Sequence, residues 1–219
     1  MKLLVAGATG ETGRRIVHQL VDRNISVKAL VRDPVAARTF LPEGVELVVG
    51  DLLNRDSLRA GITDCTAVIC ATGARPSFNI TGPLAVDYWG IRNLVDIAKE
   101  KQVVHFVFVS SLCVSKLFHP LNLFWLILFW KKQAEIYLQT SGLPYTIVRP
   151  GGLKNQDSET AIVMTGADCL FEGSIPRSQV ARVCIEALHE PNARNKIVEI
   201  ISRAHEPVRT LSDWFQSVP

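Results

Sequence analysis

Short runs rich in β-branched and other apolar residues alternate along this chain with longer amphipathic stretches, from its first residues almost to its last. The short runs, at residues 2–6, 26–31, 45–49, 67–71, 105–110 and 145–148, predict strands. The stretches between them, at 12–23, 56–61, 84–101 and 125–141, predict helices. Strands separated by helical crossovers form parallel sheets, and right-handed crossovers wind such a sheet in both directions from its centre. The expectation is therefore an α/β fold with a doubly wound parallel sheet and helices on both faces. After residue 152 the pattern loosens into short strands at 161–164 and 196–201 and helices at 178–189 and 210–218, read as a small C-terminal elaboration on the substrate side.

Composition narrows this picture without changing it. At 219 residues, 47% hydrophobic and 21% charged, the chain is predicted to form one domain with a sizeable core. The formal charge of +3 comes from 24 basic and 21 acidic residues spread along the sequence with no Lys/Arg block, so no nucleic-acid partner is expected and the chain reads as a monomer or weak oligomer. Five cysteines, Cys65, Cys70, Cys113, Cys169 and Cys184, form no C-x-x-C pair and have no His at ligand spacing. They read as small buried hydrophobes in a reducing compartment, with no metal. Met1 and Lys2 lead straight into the first apolar run, so no signal or transit peptide is expected and the chain is not expected to be secreted.

Candidate chemistry begins directly after the first predicted strand. Gly7-Ala8-Thr9-Gly10-Glu11-Thr12-Gly13 is a G-x-x-G-x-x-G loop that opens a helix. A glycine triplet between an N-terminal strand and a helix is the dinucleotide-binding arrangement: tight turn, close approach to a pyrophosphate, close helix packing, and helix amides facing the phosphates. Nineteen residues beyond Gly13, where an NAD site places an acid for the 2'-hydroxyl, stands Arg32. A guanidinium there suits a 2'-phosphate and predicts NADP(H). Asp33 and Pro34 read as a helix cap and first helical residue, so Asp33 does not replace the missing acid. Asp51 and Leu52 after the third strand, and Ala71, Thr72 and Gly73 after the fourth, fall where ligands of open α/β sheets collect. Asp51 suits the adenine amino group or, equally, a helix N-cap.

Taken with Leu30-Val31-Arg32-Asp33, Gly50-Asp51-Leu52, Val109-Ser110-Ser111, residues 131–135 and Arg149-Pro150-Gly151-Gly152, the loop resembles the atypical short-chain dehydrogenase/reductases. Within them it is similar to the NAD(P)H-binding, NmrA-like group with its cyanobacterial and plastid members, over about residues 1–200, which implies a bacterial cytoplasm, cyanobacterial ones included, or, for a mature chain, a plastid stroma. That resemblance implies a Rossmann fold carrying NADP(H). It also implies Ser110 and Ser111 near the nicotinamide, Lys131 near its ribose, and Pro150, Gly151, Gly152 and Leu153 bordering the carboxamide, with Ser111 and Lys131 as the candidate catalytic residues.

The departure from the family pattern lies one turn before Lys131. Where Tyr-x-x-x-Lys would place the proton-donating phenol, this chain has Ile127, and Tyr137 falls on the wrong part of the helix. A flavin, quinone or linear tetrapyrrole takes hydride at an electrophilic conjugated centre and its proton from water, whereas ordinary ketone reduction gains roughly 10²- to 10⁴-fold from a placed acid. Two functions stay open: an NADPH-dependent reductase of a flat conjugated small-molecule acceptor, or a protein that holds NADP(H) without turnover as a regulator or assembly factor.

From Leu117 to Trp130 run fourteen residues with no formal charge. A membrane-spanning helix needs about 20, so the run does not cross a bilayer. It reads as a loop and buried crossover helix, as an apolar pocket wall, or as a patch docking on a membrane or protein partner. Lys131 and Lys132 at its end meet either lipid phosphates or a coenzyme ribose.

Overall fold

Among the described residues, ten strands join in one sheet, the first six of them in the order three, two, one, four, five, six. The computed structural model describes residues 1–73, 81–123, 125–158 and 160–219. The first six strands are β1 (Lys2–Ala6), β2 (Ser26–Val31), β3 (Glu46–Val49), β4 (Ala67–Cys70), β5 (His105–Val109) and β6 (Tyr145–Pro150). All neighbours among them run parallel, from Leu3 opposite Val27 and Ala67 to Val109 opposite Val148. This 3-2-1-4-5-6 order is the Rossmann order, with its switch point between β1 and β4.

Helices α1 (Glu11–Asp22) and α6 (Arg177–His189) cover one face, Ile16, Val17 and Leu20 of α1 packing under β1 and β2, and Val180 and Cys184 of α6 under β5 and β6. On the other face lie α3 (Arg55–Ile62), α4 (Ile91–Glu100) and α5 (Ile127–Thr140), through Leu58, Leu94, Ala134 and Leu138. Central strands β1, β4 and β5 are buried on both faces, which is why they read as unbroken apolar runs. Asp33 caps the single-turn α2 (Pro34–Ala37), accepting from the amides of Val35 and Ala36.

The C-terminal region contributes more to the sheet than the sequence suggested. Strand β10 (Lys196–Arg203) continues the parallel order beside β6. Strands β8 (Ala161–Thr165) and β9 (Ser174–Pro176) pair antiparallel to β10, and β7 (Gly152–Lys154) pairs with β9. Strands β7 and β9, of three residues each, are too short for a pattern to reveal them. A final helix, α7 (Leu211–Ser217), is capped by Thr210.

Two helical expectations shift. The stretch at 84–101 divides into a π-helical segment, Leu84–Gly90, followed by α4. The helix expected from residue 125 begins at Ile127, because Trp125 and Leu126 adopt left-handed backbone (φ 57° and 58°). Its cap comes from Asn122, whose buried side-chain oxygen accepts from the amides of Leu128 (3.0 Å) and Phe129 (3.2 Å) while its nitrogen donates to the carbonyl of Leu117. Phe124, within the apolar run, lies outside the described residues.

Candidate coenzyme site

Every predicted site residue sits at or just beyond the C-terminal ends of the strands, except Lys131, which reaches the same edge from α5. The loop from Gly7 to Gly13 joins β1 to α1. Gly7 takes a positive φ of 79°, and a side chain at Gly13 would place its Cβ 2.0 Å from the Gly7 carbonyl oxygen. Only glycine lets the loop and helix meet this closely. Gly10 starts α1 without any side-chain cap, so first-turn N–H groups are left for a ligand. Glu11 is held by Arg14 (2.6 Å) and Arg15 (2.9 Å). The Arg15 hydrogen bond lowers its pKa most, with Arg14 adding to it against the desolvation that raises it. The one carboxylate in the loop is thereby balanced where phosphates would approach.

Arg32, just past the end of β2, is exposed and makes no hydrogen bond or ion pair among the described residues. Asp51 is not the cap of α3, a role filled by Asn54. One Asp51 oxygen accepts from the Leu53 amide at 2.8 Å. Leu52 lies against Gly90, and its carbonyl accepts from Asn93.

Beyond β4, the Thr72 carbonyl accepts from Lys131 Nζ at 3.4 Å, and a Cβ at Gly73 would lie 3.6 Å from the same ammonium. Lys131 is buried and makes a 2.9 Å ion pair with Asp87, whose side chain is fully buried in the π-helical segment. Lys131 is thus turned inward, toward the ends of β4 and β5, and away from any lipid. An ammonium has three donors, and these two contacts leave one for a ligand hydroxyl. Ser110 Oγ, at the end of β5, is buried with no hydrogen-bond partner among the described residues. Buried hydroxyls are normally paired, so this orphan at the sheet edge fits a polar ligand beside it. Ser111 is half-buried and begins the loop that leads to α5.

Around Pro150, Gly151, Gly152 and Leu153 the backbone is largely engaged in the fold. The Pro150 carbonyl accepts from Leu112, the Gly151 and Gly152 amides donate to Ile200 and Gly173, and the Leu153 carbonyl accepts from Arg177. These residues shape a wall more than they offer hydrogen bonds. Ile127 stands one turn before Lys131 and packs with Leu112, Cys113, Val114 and Leu128 in a small apolar cluster. Tyr137 points elsewhere, donating to Asp96 and lying under Arg92.

Sequence reasoning missed Asp87 and a buried charge network. Arg149 donates to both oxygens of Glu135 (2.9 and 2.7 Å) and to Glu199 at 3.2 Å. Burial disfavours its charge, but Glu135, Asp168 and Glu199 outweigh that and raise its pKa. Glu199 also accepts from the amides of Asp168, Cys169 and Leu170, fixing that loop beside the middle of β10. One signal was available: Arg149 is the one charge in β6 and Glu199 interrupts the apolar run 197–201 of β10, and they stand opposite each other in the β6–β10 register.

These features, a glycine loop before an uncapped helix at a Rossmann switch point, fit a dinucleotide. A family model described as NAD(P)H-binding matches residues 7–191. The chain belongs to this NAD(P)H-binding family. An uncharacterised chloroplast protein of Arabidopsis thaliana is 46% identical over 99% of this chain and 82% of its own length. Sanguinarine reductase of Eschscholzia californica is 30% identical, covering 93% and 89%. Protein TIC 62 of Pisum sativum, also chloroplastic, is 35% identical over 99% of this chain, which spans only 46% of that protein. Among solved structures, the anaerobilin reductase ChuY from Escherichia coli O157:H7 shares the fold, with a TM-score of 0.79 at 24% identity and coverage of 95% and 100%. No helix among the described residues is long and apolar enough to cross a membrane.

Proposed function

We propose that this protein is an NADPH-dependent reductase of a flat conjugated acceptor of the flavin, quinone or tetrapyrrole class. The observation that carries the reading is the pairing of Lys131 with Asp87 beside the orphaned Ser110 hydroxyl, next to an apolar wall that has Ile127 where a phenol would stand. Arg32 holds the 2'-phosphate, and the α1 amides hold the pyrophosphate. Lys131 binds the ribose, kept in place by Asp87 and the Thr72 carbonyl. Ser111 orients the acceptor against the wall formed by Ile127 and Leu112. When bound, NADPH supplies hydride to the acceptor and leaves as NADP⁺. With no phenol at position 127, the accompanying proton comes from water, which suits a conjugated centre and disfavours simple ketones. A relative that is itself named a reductase supports this reading, and chloroplast relatives support a plastid stroma.

The second reading, a protein that holds NADP(H) without turnover, draws on the same Ile127 and on the apolar segment that follows Ser111. NADPH oxidation by the purified chain against flavin, quinone and bilin acceptors separates the two. The reductase reading expects turnover above the uncatalysed rate with at least one acceptor. Tight NADPH binding with no such turnover would establish the second reading instead.

A further inference from the structure

Between Ser111 and α5 the chain holds large apolar side chains out in solvent. Phe118 is 98% and Leu123 84% exposed, and Leu117, Leu121, Trp125 and Leu126 lie between 40% and 53%. This presentation is built into the fold, because Asn122 at the centre of the segment ties the Leu117 carbonyl to the first turn of α5. Such a concentration of exposed apolar surface marks an interaction site. Its charge pattern selects the partner. From residue 112 to 134 the formal charges are all positive, Lys116, Lys131 and Lys132. Lys131 is turned inward onto Asp87, which leaves Lys116, whose ammonium lies over the Phe171 ring, and Lys132 as the cations flanking the apolar tip. Of the nearby acids, Asp168 is bound by Arg149, and Glu135 is held bidentately by Arg149 with Lys132 more loosely paired to it at 3.7 Å. Beside the segment, Trp89 is half-exposed under Arg92, and Tyr88 packs against Trp130.

We propose that this face docks peripherally on a bilayer bearing anionic lipid, with Phe118 and Leu123 entering the acyl boundary and Lys116 and Lys132 meeting phosphates. Side chains that stand out with almost no neighbours lack the packed frame of a protein–protein hot spot. A fluid acyl region requires no such frame, and half-exposed tryptophans favour headgroup depth. This docking stands independently of the reductase reading.

The test is flotation of the full chain with phosphatidylcholine vesicles, with and without phosphatidylglycerol. The proposal expects flotation with the anionic vesicles and about tenfold less with the neutral ones, reduced again by salt. The double variant Phe118→Asp/Leu123→Asp should lose binding by about tenfold or more while keeping its NADPH affinity and melting temperature. Lys116→Gln/Lys132→Gln should lose the preference for anionic lipid. Equal flotation by wild type and the Asp variant, or none with anionic vesicles, overturns the proposal. So does a concentration-dependent dimer that the Asp variant dissolves, since a second copy would then cover the face.

Discussion

Helices α1 and α5 face the same physical problem and solve it in opposite ways. Each begins without a side-chain cap at its own first position, Gly10 for α1 and Leu126 for α5. An uncapped start leaves amide donors unpaired. At α5 the chain satisfies them itself, through Asn122 reaching back from outside the helix. At α1 no side chain does so, and the glycines keep the space in front clear. A closed start makes a scaffold, and an open start makes an anion site. The first sets the position of Lys131, and the second sets the position of whatever phosphate binds.

The largest expected effect breaks the open start. Gly13→Val puts a side chain into the Gly7 carbonyl, and calorimetry should show NADP⁺ and NAD⁺ binding both falling by about a hundredfold or more, since an intrusion at the helix start removes close phosphate approach. Binding within threefold of wild type would show that α1 is not the phosphate site. Next is Asp87→Ala, which leaves Lys131 as a buried cation without its partner. Removing one member of a buried pair costs about 3 kcal/mol, so chemical denaturation should show a loss of that order, with weaker NADPH binding alongside. A loss below about 0.5 kcal/mol, typical of surface positions, would mean that Asp87 does not hold Lys131.

Arg32→Ala is expected to remove a charge-assisted contact of roughly 1.5 to 3 kcal/mol. It should weaken NADP⁺ about tenfold or more while leaving NAD⁺ nearly unchanged, and equal losses would refute the 2'-phosphate assignment. The smallest effect sharpens the comparison from the closed side. Asn122→Ala removes a cap worth about 1 kcal/mol, so the melting temperature should drop by about 2 to 4 °C with coenzyme affinity retained. No drop would mean that the α5 start does not depend on Asn122.

The same contrast explains what could be read from the sequence. The glycine loop and Arg32 at the end of β2 are local signals, because spacing along one βαβ unit fixes them. The structure gathers those residues at one sheet edge without rearrangement. The expected start of α5 at residue 125 failed because apolar periodicity runs through Trp125 and Leu126, whereas the cap that ends it comes from a tertiary contact. Asp87 was invisible for a similar reason: its meaning depends on Lys131, 44 residues later, being carried to the same place by a different crossover. Arg149 and Glu199 lay between these cases, since charges set within apolar runs are visible but their partnership requires the register.

The central claim is that this coenzyme edge carries hydride transfer and not binding alone. Single-turnover stopped-flow under anaerobic conditions tests it most directly, using NADPH deuterated separately on each face of C4 with a flavin or quinone acceptor. The account predicts a protein-dependent rate that deuteration slows on one face only, and that Lys131→Ala diminishes even when NADPH is raised to saturation. A rate equal to that without protein, or one indifferent to the deuterated face, with NADPH still tightly bound, would contradict it.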